Sequence, residues 1–290
     1  MRRIVSLIFL VPFFSAAQEV LNAPFTLLGP RDAMIYTDLK TAYKEAETCF
    51  KLDLRDQAID TAKLFKKINK LGSLQVFAIG NNNITELPKE FTQLNGMMYF
   101  SSTGNPLKKL PDAFGNLSNL TYLEFYSTNL DSIPTEIGYL SKLKILHIQN
   151  NTDSLGISFA IGYLPVLYDL LIYNSHIDSI PNDIGRSKSL KRLSLVKCDL
   201  DTLPASLGKI KTLEQLALDF NKLDELPSSV YHLKNLKYLS LRSNHFTHLP
   251  DEICFLTNLE TLDIRGNSLS ERDVAILQAL LPKGCQVLYK

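Results

Sequence analysis

His147 follows Glu124 by the same interval that separates Pro88 from Pro111 and Pro111 from Pro134 in this 290-residue chain. A chain folded on that period sets the carboxylate and the imidazole on adjacent turns, and such a pair is one half of a general-base arrangement. The other half is missing. No nucleophile or oxyanion donor accompanies the pair, and the sequence holds no GxSxG elbow, phosphate-binding loop, HExxH, CxxC or GxGxxG. His245 and His248 are close in the chain, but no thiol or carboxylate is spaced to complete a metal site, so they read as solvated turn residues. The chemistry-bearing residues therefore point to no metal, no cofactor and no enzyme, and Glu124 with His147 reads as a satisfied surface pair.

The elements that position these residues follow from the same interval. A branched aliphatic precedes proline at Leu87-Pro88, Leu110-Pro111, Ile133-Pro134, Ile180-Pro181, Leu203-Pro204, Leu226-Pro227 and Leu249-Pro250. The prolines recur at one constant interval, broken once, between Pro134 and Pro181, by a gap of two periods plus one residue. A fixed period in the twenties marks a solenoid built from one supersecondary unit per repeat. Aligned on it, the chain reads Lxx LxL xxN xL xxLP xxI xxL, whole in Leu213, Leu216, Leu218, Asn221, Leu223, Leu226, Pro227, Val230 and Leu233. Copies begin at Cys49, Leu74, Met97, Leu120, Leu143, Leu167, Leu190, Leu213, Leu236 and Leu259.

This pattern resembles the leucine-rich repeat in its LPxxI variety, similar to Ras-group-related and scribble-type scaffolds and to many bacterial secreted proteins. The resemblance implies an α/β solenoid of about ten repeats, an arc or horseshoe with a parallel β-sheet on its concave side. The residues lead to the same architecture. Positions one, four, six and eleven are apolar, and the alternation from four to six suits a strand with one buried face. A lone repeat leaves its apolar faces bare, so repeats are stable only when stacked. The prolines suit a convex side of short turns and polyproline-like segments with no ladder to feed.

Position nine must satisfy backbone groups where the chain leaves the strand. Asn82, Asn105, Asn151, Asn221, Asn244 and Asn267 occupy it, and Thr128, Ser175 and Cys198 fill the remaining places from Leu74 onward. An amide offers donors and acceptors together, so stacked copies form a ladder that leaves few buried groups unpaired. Cys198 is explained by that position without redox chemistry.

Both ends of a stack need covers. Leu39, Ala42, Tyr43 and Ala46 recur at helical spacing and predict a capping helix within 37–48. Ser270-Glu271-Arg272-Asp273 fits a capping-box start, Val274, Leu277 and Leu281 form an apolar stripe, and Pro282 with Gly284 stops the helix. The segment from Cys285 to Tyr289 reads as a closing edge strand, so 270–290 is expected to end the repeats of 49–269 with no separate domain after it.

Arg2 and Arg3 precede an apolar run from Ile4 to Phe14, and Ser15-Ala16-Ala17 supplies the small residues of a cleavage site. Residues 1–17 are thus expected to be a secretory signal, and 18–36 an extended linker. The run is too short to span a bilayer, and no later stretch approaches a spanning length. Cleavage removes Arg2 and Arg3 from the basic side of a chain with formal charge +1, and the resulting −1 offers nothing to nucleic acid. Four cysteines in an exported chain invite disulfides, but Cys49 and Cys285 belong to opposite ends and Cys198 to the ladder, leaving Cys254 with Cys285 as the one pairing to consider.

Positions three, five, seven and eight are expected to face outward on the concave side. They carry Tyr99, Tyr122, Glu124, Tyr126, His147, Gln149, Tyr173, Arg192, Lys197, Asp219, Phe220, Tyr238 and Arg242, with Asn150 and Asp169 among their neighbours. Tyr and Arg are the types enriched at binding hot spots, although Tyr is also simply a good strand residue. The expectation is a monomeric, secreted or periplasmic, non-catalytic module that binds a protein ligand on this face. Two alternatives stand beside it. One is an intracellular signalling scaffold, which requires that 1–17 not act as a signal, and the other is an exported carbohydrate-binding protein using the Tyr-rich face. The fifth repeat is irregular, 24 residues long and with Gly156-Ile157 in place of the proline pair, and the sixth puts Ser187 where a core leucine is expected.

Overall fold

The computed structural model describes residues 28–150 and 154–290. The expected leader over 1–17, the first part of the linker and Asn151 lie outside the described residues. Twelve strands form one parallel sheet in chain order. They are β1 (Ile35–Tyr36), β2 (Lys51–Leu54), β3 (Val76–Gly80), β4 (Tyr99–Thr103), β5 (Tyr122–Thr128) and β6 (Ile145–Asn150), followed by β7 (Asp169–Tyr173), β8 (Arg192–Val196), β9 (Gln215–Ala217), β10 (Tyr238–Ser240), β11 (Thr261–Asp263) and β12 (Gln286–Leu288).

The pairing advances by one repeat per strand, so like positions stack on like. Leu123 pairs with Leu146, Leu146 with Leu170, and Leu170 with Leu193. The aliphatics of positions one, four, six and eleven thereby form one continuous buried core, from Leu52 and Leu74 through Leu143 and Leu216 to Leu262. Toward the N-terminal end this core is aromatic. Phe77, Phe91, Phe100, Phe114 and Phe125 run ring to ring, with centroids from 4.7 Å for Phe91–Phe100 to 6.5 Å for Phe91–Phe114.

The convex side is made of one-turn 3₁₀ helices rather than polyproline segments alone. Pro88, Pro134, Pro181, Pro204 and Pro250 take extended geometry and each opens such a helix. The proline carbonyl accepts the N–H three residues on, as in Phe91 to Pro88 at 3.0 Å, so a residue without its own N–H donor still closes the turn. A first helix, α1 (Leu39–Lys44), is capped by Asp38 and buries Ala42. The first full coil adds α2 (Thr61–Lys67) ahead of its 3₁₀ turn at Ile68–Lys70. The last helix, α3 (Glu271–Leu280), starts on a complete capping box between Ser270 and Asp273 and buries Val274 and Leu277, after which β12 pairs with β11.

Position eight is the corner where each coil leaves the sheet. Asp56, Asn81, Gly104, Ser127, Asn174, Lys197, Phe220, Ser243 and Gly266 all have positive φ there, between 49° and 70°. Lys197 and Phe220 thus sit on left-handed corners rather than on the sheet face. The fifth coil is the exception. The pairing of β5 with β6 slips between Tyr126 and Thr128, so Ser127 is bulged and Thr128 faces Asn150. The strand runs through Asn150 without the left-handed corner, and Asn150 moves from the expected outward face into the interior.

Candidate functional site

The ladder beneath the corners is built from side chains that serve two coils at once. Asn221 accepts the N–H groups of Cys198 (3.0 Å) and Leu200 (3.2 Å) and donates to the carbonyls of Leu195 (2.7 Å) and Leu218 (2.8 Å). Asn105 accepts from Asn82 and Ile84, Asn244 accepts from Leu223, and Asn267 accepts from Phe246. Ser175 accepts the N–H of Asn150 and donates to the Tyr173 carbonyl. The Cys198 thiol points at two carbonyls, 3.4 Å each, and burial pushes its pKa up to about 12. Asn151, expected in this ladder, lies outside the described residues, and its neighbour Asn150 makes ladder contacts. It is fully buried, accepts from Leu130 N–H (2.9 Å) and Thr128 Oγ1 (3.3 Å), and donates to the Leu130 carbonyl. The bulge at Ser127 is the physical reason, since it advances the pairing by one residue.

On the concave face a polar row crosses five strands. Tyr99 donates its hydroxyl to Glu124 Oε2 at 2.7 Å. Glu124 pairs in register with His147, but Oε1 lies 3.8 Å from Nδ1, beyond hydrogen-bonding range, and this buried oxygen has no hydrogen-bond partner among the described residues. His147 instead places Nε2 3.3 Å from Asp169 Oδ2, and its Nδ1 is 3.4 Å from the Tyr126 hydroxyl. Asp169 accepts from Arg192, whose guanidinium lies 5.6 Å over the Tyr168 ring. Burial raises the Glu124 carboxyl above the ordinary range, against the pull of His147 and Tyr99. Burial acts on Asp169 in the same direction, but His147 and Arg192 outweigh it and hold the carboxyl low.

Farther along, Asp219 is buried and accepts from the Ser240 hydroxyl and from Arg242 N–H. Burial lifts its pKa to about 6 despite both hydrogen bonds. The Arg242 guanidinium stacks 5.3 Å over the Phe220 ring. Two strands near opposite ends share one device, an aspartate forked by the arginine two residues on: Asp53–Arg55 in β2 and its continuation, and Asp263–Arg265 in β11 and its continuation.

The outward residues thus divide into a floor and a rim. Tyr99, Glu124, His147 and Asp219 are buried. Tyr122, Tyr126, Gln149, Tyr173, Arg192, Tyr238 and Arg242 are half-buried and keep accessible surface, while Lys197 and Phe220 are exposed. Glu124 and His147 do adjoin, yet the tight partner of the imidazole is Asp169, one strand on and displaced along it. His245 and His248 are exposed in the turn after β10. Among the described residues no three His, Cys, Asp or Glu side chains gather as a metal site, all four cysteines are free, and no helix is long and apolar enough to cross a membrane.

A family model described as a leucine-rich repeat region matches residues 51–153 and 111–230, and a second, leucine rich repeat, matches 211–269. No curated protein sequence matches the chain. Among solved structures, the chain is similar to an internalin, InlF, from Listeria monocytogenes, at 19% identity over 87% of this chain and 72% of that one, with a TM-score of 0.68. It is similar also to the repeat domain of the type III effector XopL, at 20% identity, 97% and 96% coverage and a TM-score of 0.62. A plant peptide hormone receptor, RGFR1 in complex with RGF2, is 21% identical over 88% of this chain and 49% of that one, with a TM-score of 0.50.

Proposed function

The chain belongs to the leucine-rich repeat family, and on that footing we propose that it is an exported, non-catalytic module that binds a protein ligand on its concave sheet. The observation that carries this reading is the division of that sheet into a hydrogen-bonded floor and an accessible rim. Tyr99 with Glu124, Tyr126 with His147, and His147 with Asp169 tie four adjacent strands together, and Tyr122, Tyr173 and Arg192 stand beside them. Aromatic and arginine side chains held on a rigid floor present contact area with little entropy left to lose, which is what a binding hot spot requires. The floor's carboxylates and imidazole are engaged by Tyr99, Tyr126 and Arg192 and by one another, which favours recognition over catalysis. Export rests on the arginines, apolar run and small residues of 1–17.

The test is capture of ligands from the exported fraction by the chain and by a Tyr122→Ala/Tyr126→Ala/Tyr173→Ala variant of equal thermal stability. A protein retained by the native face and lost by the variant is the expected result. Equal retention by both would move the site off the concave sheet. A mature protein that still begins at Met1 would remove the exported assignment.

A further inference from the structure

The convex side carries a second surface that the concave reading does not use. At the same place in successive 3₁₀ turns stand Tyr139, Tyr163, Arg186, Lys209, His232 and Phe255. Two places after Arg186, Lys209 and His232 come Lys188, Lys211 and Lys234, so the middle of the column is basic on both edges. All of these side chains are exposed, and Tyr139 is 73% and Tyr163 52% accessible, with Phe159 beside them also at 52%.

The rings and cations are ordered against each other. Phe159 and Tyr163 meet edge to face at 6.3 Å, and the Arg186 guanidinium lies 5.3 Å over the Tyr163 ring. Asp183 fixes that pair by accepting from both the Tyr163 hydroxyl (3.0 Å) and Arg186 Nε (2.8 Å). At the other end His232 lies 5.5 Å from Phe255, and Lys234 Nζ is 5.7 Å over the same ring. Lys211 and Lys234 donate to neutral carbonyls, of Gly208 and Phe255, which leave their charge uncancelled. Among the described residues Lys188, Lys209, Lys211 and Lys234 enter no salt bridge, whereas nearby Lys191 and Lys237 both pair with Glu214.

We propose that this convex stripe binds a linear acidic polysaccharide, with uronate carboxylates on the lysines of the central turns and sugar rings on the aromatic side chains at both ends. Three features favour that occupant. Four uncancelled cations on three adjacent turns match an anion that recurs along a chain rather than a single anionic group. Exposed Tyr and Phe rings offer apolar faces with a polar edge, suited to a ligand whose faces are apolar and whose edges are hydroxylated. The stripe follows the outside of an arc, so its aromatic ends fall away from a flat bilayer, while a flexible chain can follow the curve. The near-neutral charge of the whole molecule, +1, argues against a general nucleic-acid binder.

The experiment is affinity electrophoresis of the purified full chain in gels containing alginate, a polyuronate, beside its carboxyl-reduced neutral counterpart, single-stranded oligonucleotide and anionic lipid vesicles. The expected result is retardation by alginate alone, weakened at least tenfold by Lys209→Ala/Lys211→Ala/Lys234→Ala and by added salt, and weakened by Tyr163→Ala with the salt dependence preserved. The thermal transition of these variants should match the native chain, since every altered side chain is exposed. Absence of retardation by alginate at low salt, equal retardation of native and triple-lysine chains, or stronger retention by oligonucleotide or vesicles would overturn the proposal. The concave Tyr122→Ala/Tyr126→Ala/Tyr173→Ala variant should keep alginate binding, so failure on one face is separable from failure on the other.

Discussion

His147 and Asp169 meet diagonally across the sheet: Nε2 lies 3.3 Å from Oδ2, although the in-register partner of His147 on β7 is Leu171. The diagonal joins position five of one coil to position three of the next, and Arg192 then takes the same carboxylate from the far side. A buried carboxylate that accepts from an arginine on one side and faces an imidazole on the other is held ionised, and removing it strands both partners.

Asp169→Asn should therefore destabilise the chain by about 2–4 kcal/mol at pH 7, somewhat less than breaking a fully buried ion pair costs, because Arg192 keeps solvent contact. The sign of its pH dependence follows from the depressed carboxyl. A group whose folded pKa is low stabilises above its unfolded value, near 4, and loses that contribution as pH falls through the folded value. Thermal denaturation of both proteins from pH 7 into the acid range should show the gap closing only below about pH 4. A gap independent of pH would contradict the assignment.

Asp219 carries the opposite sign. Burial raises its pKa to about 6, so its ionisation in the folded state costs stability above that value and nothing well below the unfolded one. Asp219→Asn keeps an oxygen to accept from Ser240 and Arg242 and removes the charge. The variant should melt higher than the native chain at pH 8, by an amount on the order of 1–3 kcal/mol, with the advantage fading towards pH 4. Lower stability at pH 8 would show that the charge is better compensated than its burial suggests.

Tyr99→Phe removes the hydrogen bond that Glu124 Oε2 receives from the buried Tyr99 hydroxyl, in a carboxylate whose other oxygen has no hydrogen-bond partner among the described residues. The expected loss is about 1–3 kcal/mol by urea denaturation. Tyr139→Phe, at a side chain 73% accessible, should stay within about 0.5 kcal/mol. Equal effects of the two substitutions would remove the Tyr99–Glu124 bond from the account of the floor.

Asn221→Ala orphans the buried N–H groups of Cys198 and Leu200 together with carbonyls on two coils. A loss of about 3 kcal/mol or more is expected. Asn258→Ala, which removes one exposed bond to the Lys234 carbonyl, should cost about 1 kcal/mol or less. Matching denaturation midpoints for the two would refute the ladder as a stabilising device.

The parallel sheet and the buried aliphatic positions were legible because both depend on a period that the leucines repeat many times. The ladder place in the fifth coil was not, because it depends on a bulge at Ser127, where nothing in the residue type distinguishes a paired corner from a slipped one. The outward residues were legible as a set but not as floor and rim. Whether a tyrosine on the sheet is buried depends on what its hydroxyl reaches, and Tyr99 reaches Glu124 while Tyr122 keeps accessible surface. Asp169 passed as one outward residue among many because its contact with His147 falls two residues short of the in-register partner, Leu171. The convex basic column was equally present in the pattern and is found by reading the turns with the same alignment as the strands.

The run of phenylalanines from Phe77 to Phe125 makes the molecule optically lopsided. The chain has no tryptophan, so its near-ultraviolet dichroism comes from tyrosine and phenylalanine. The five contacting phenylalanine rings, with Tyr99 against Tyr122, lie between β3 and β5. Amide dichroism, by contrast, reports every coil alike. A stack held together by neighbour contacts can lose one end before the other, and the two signals would then separate during unfolding. The aromatic run is a built-in spectroscopic label for the N-terminal half, available without any added probe.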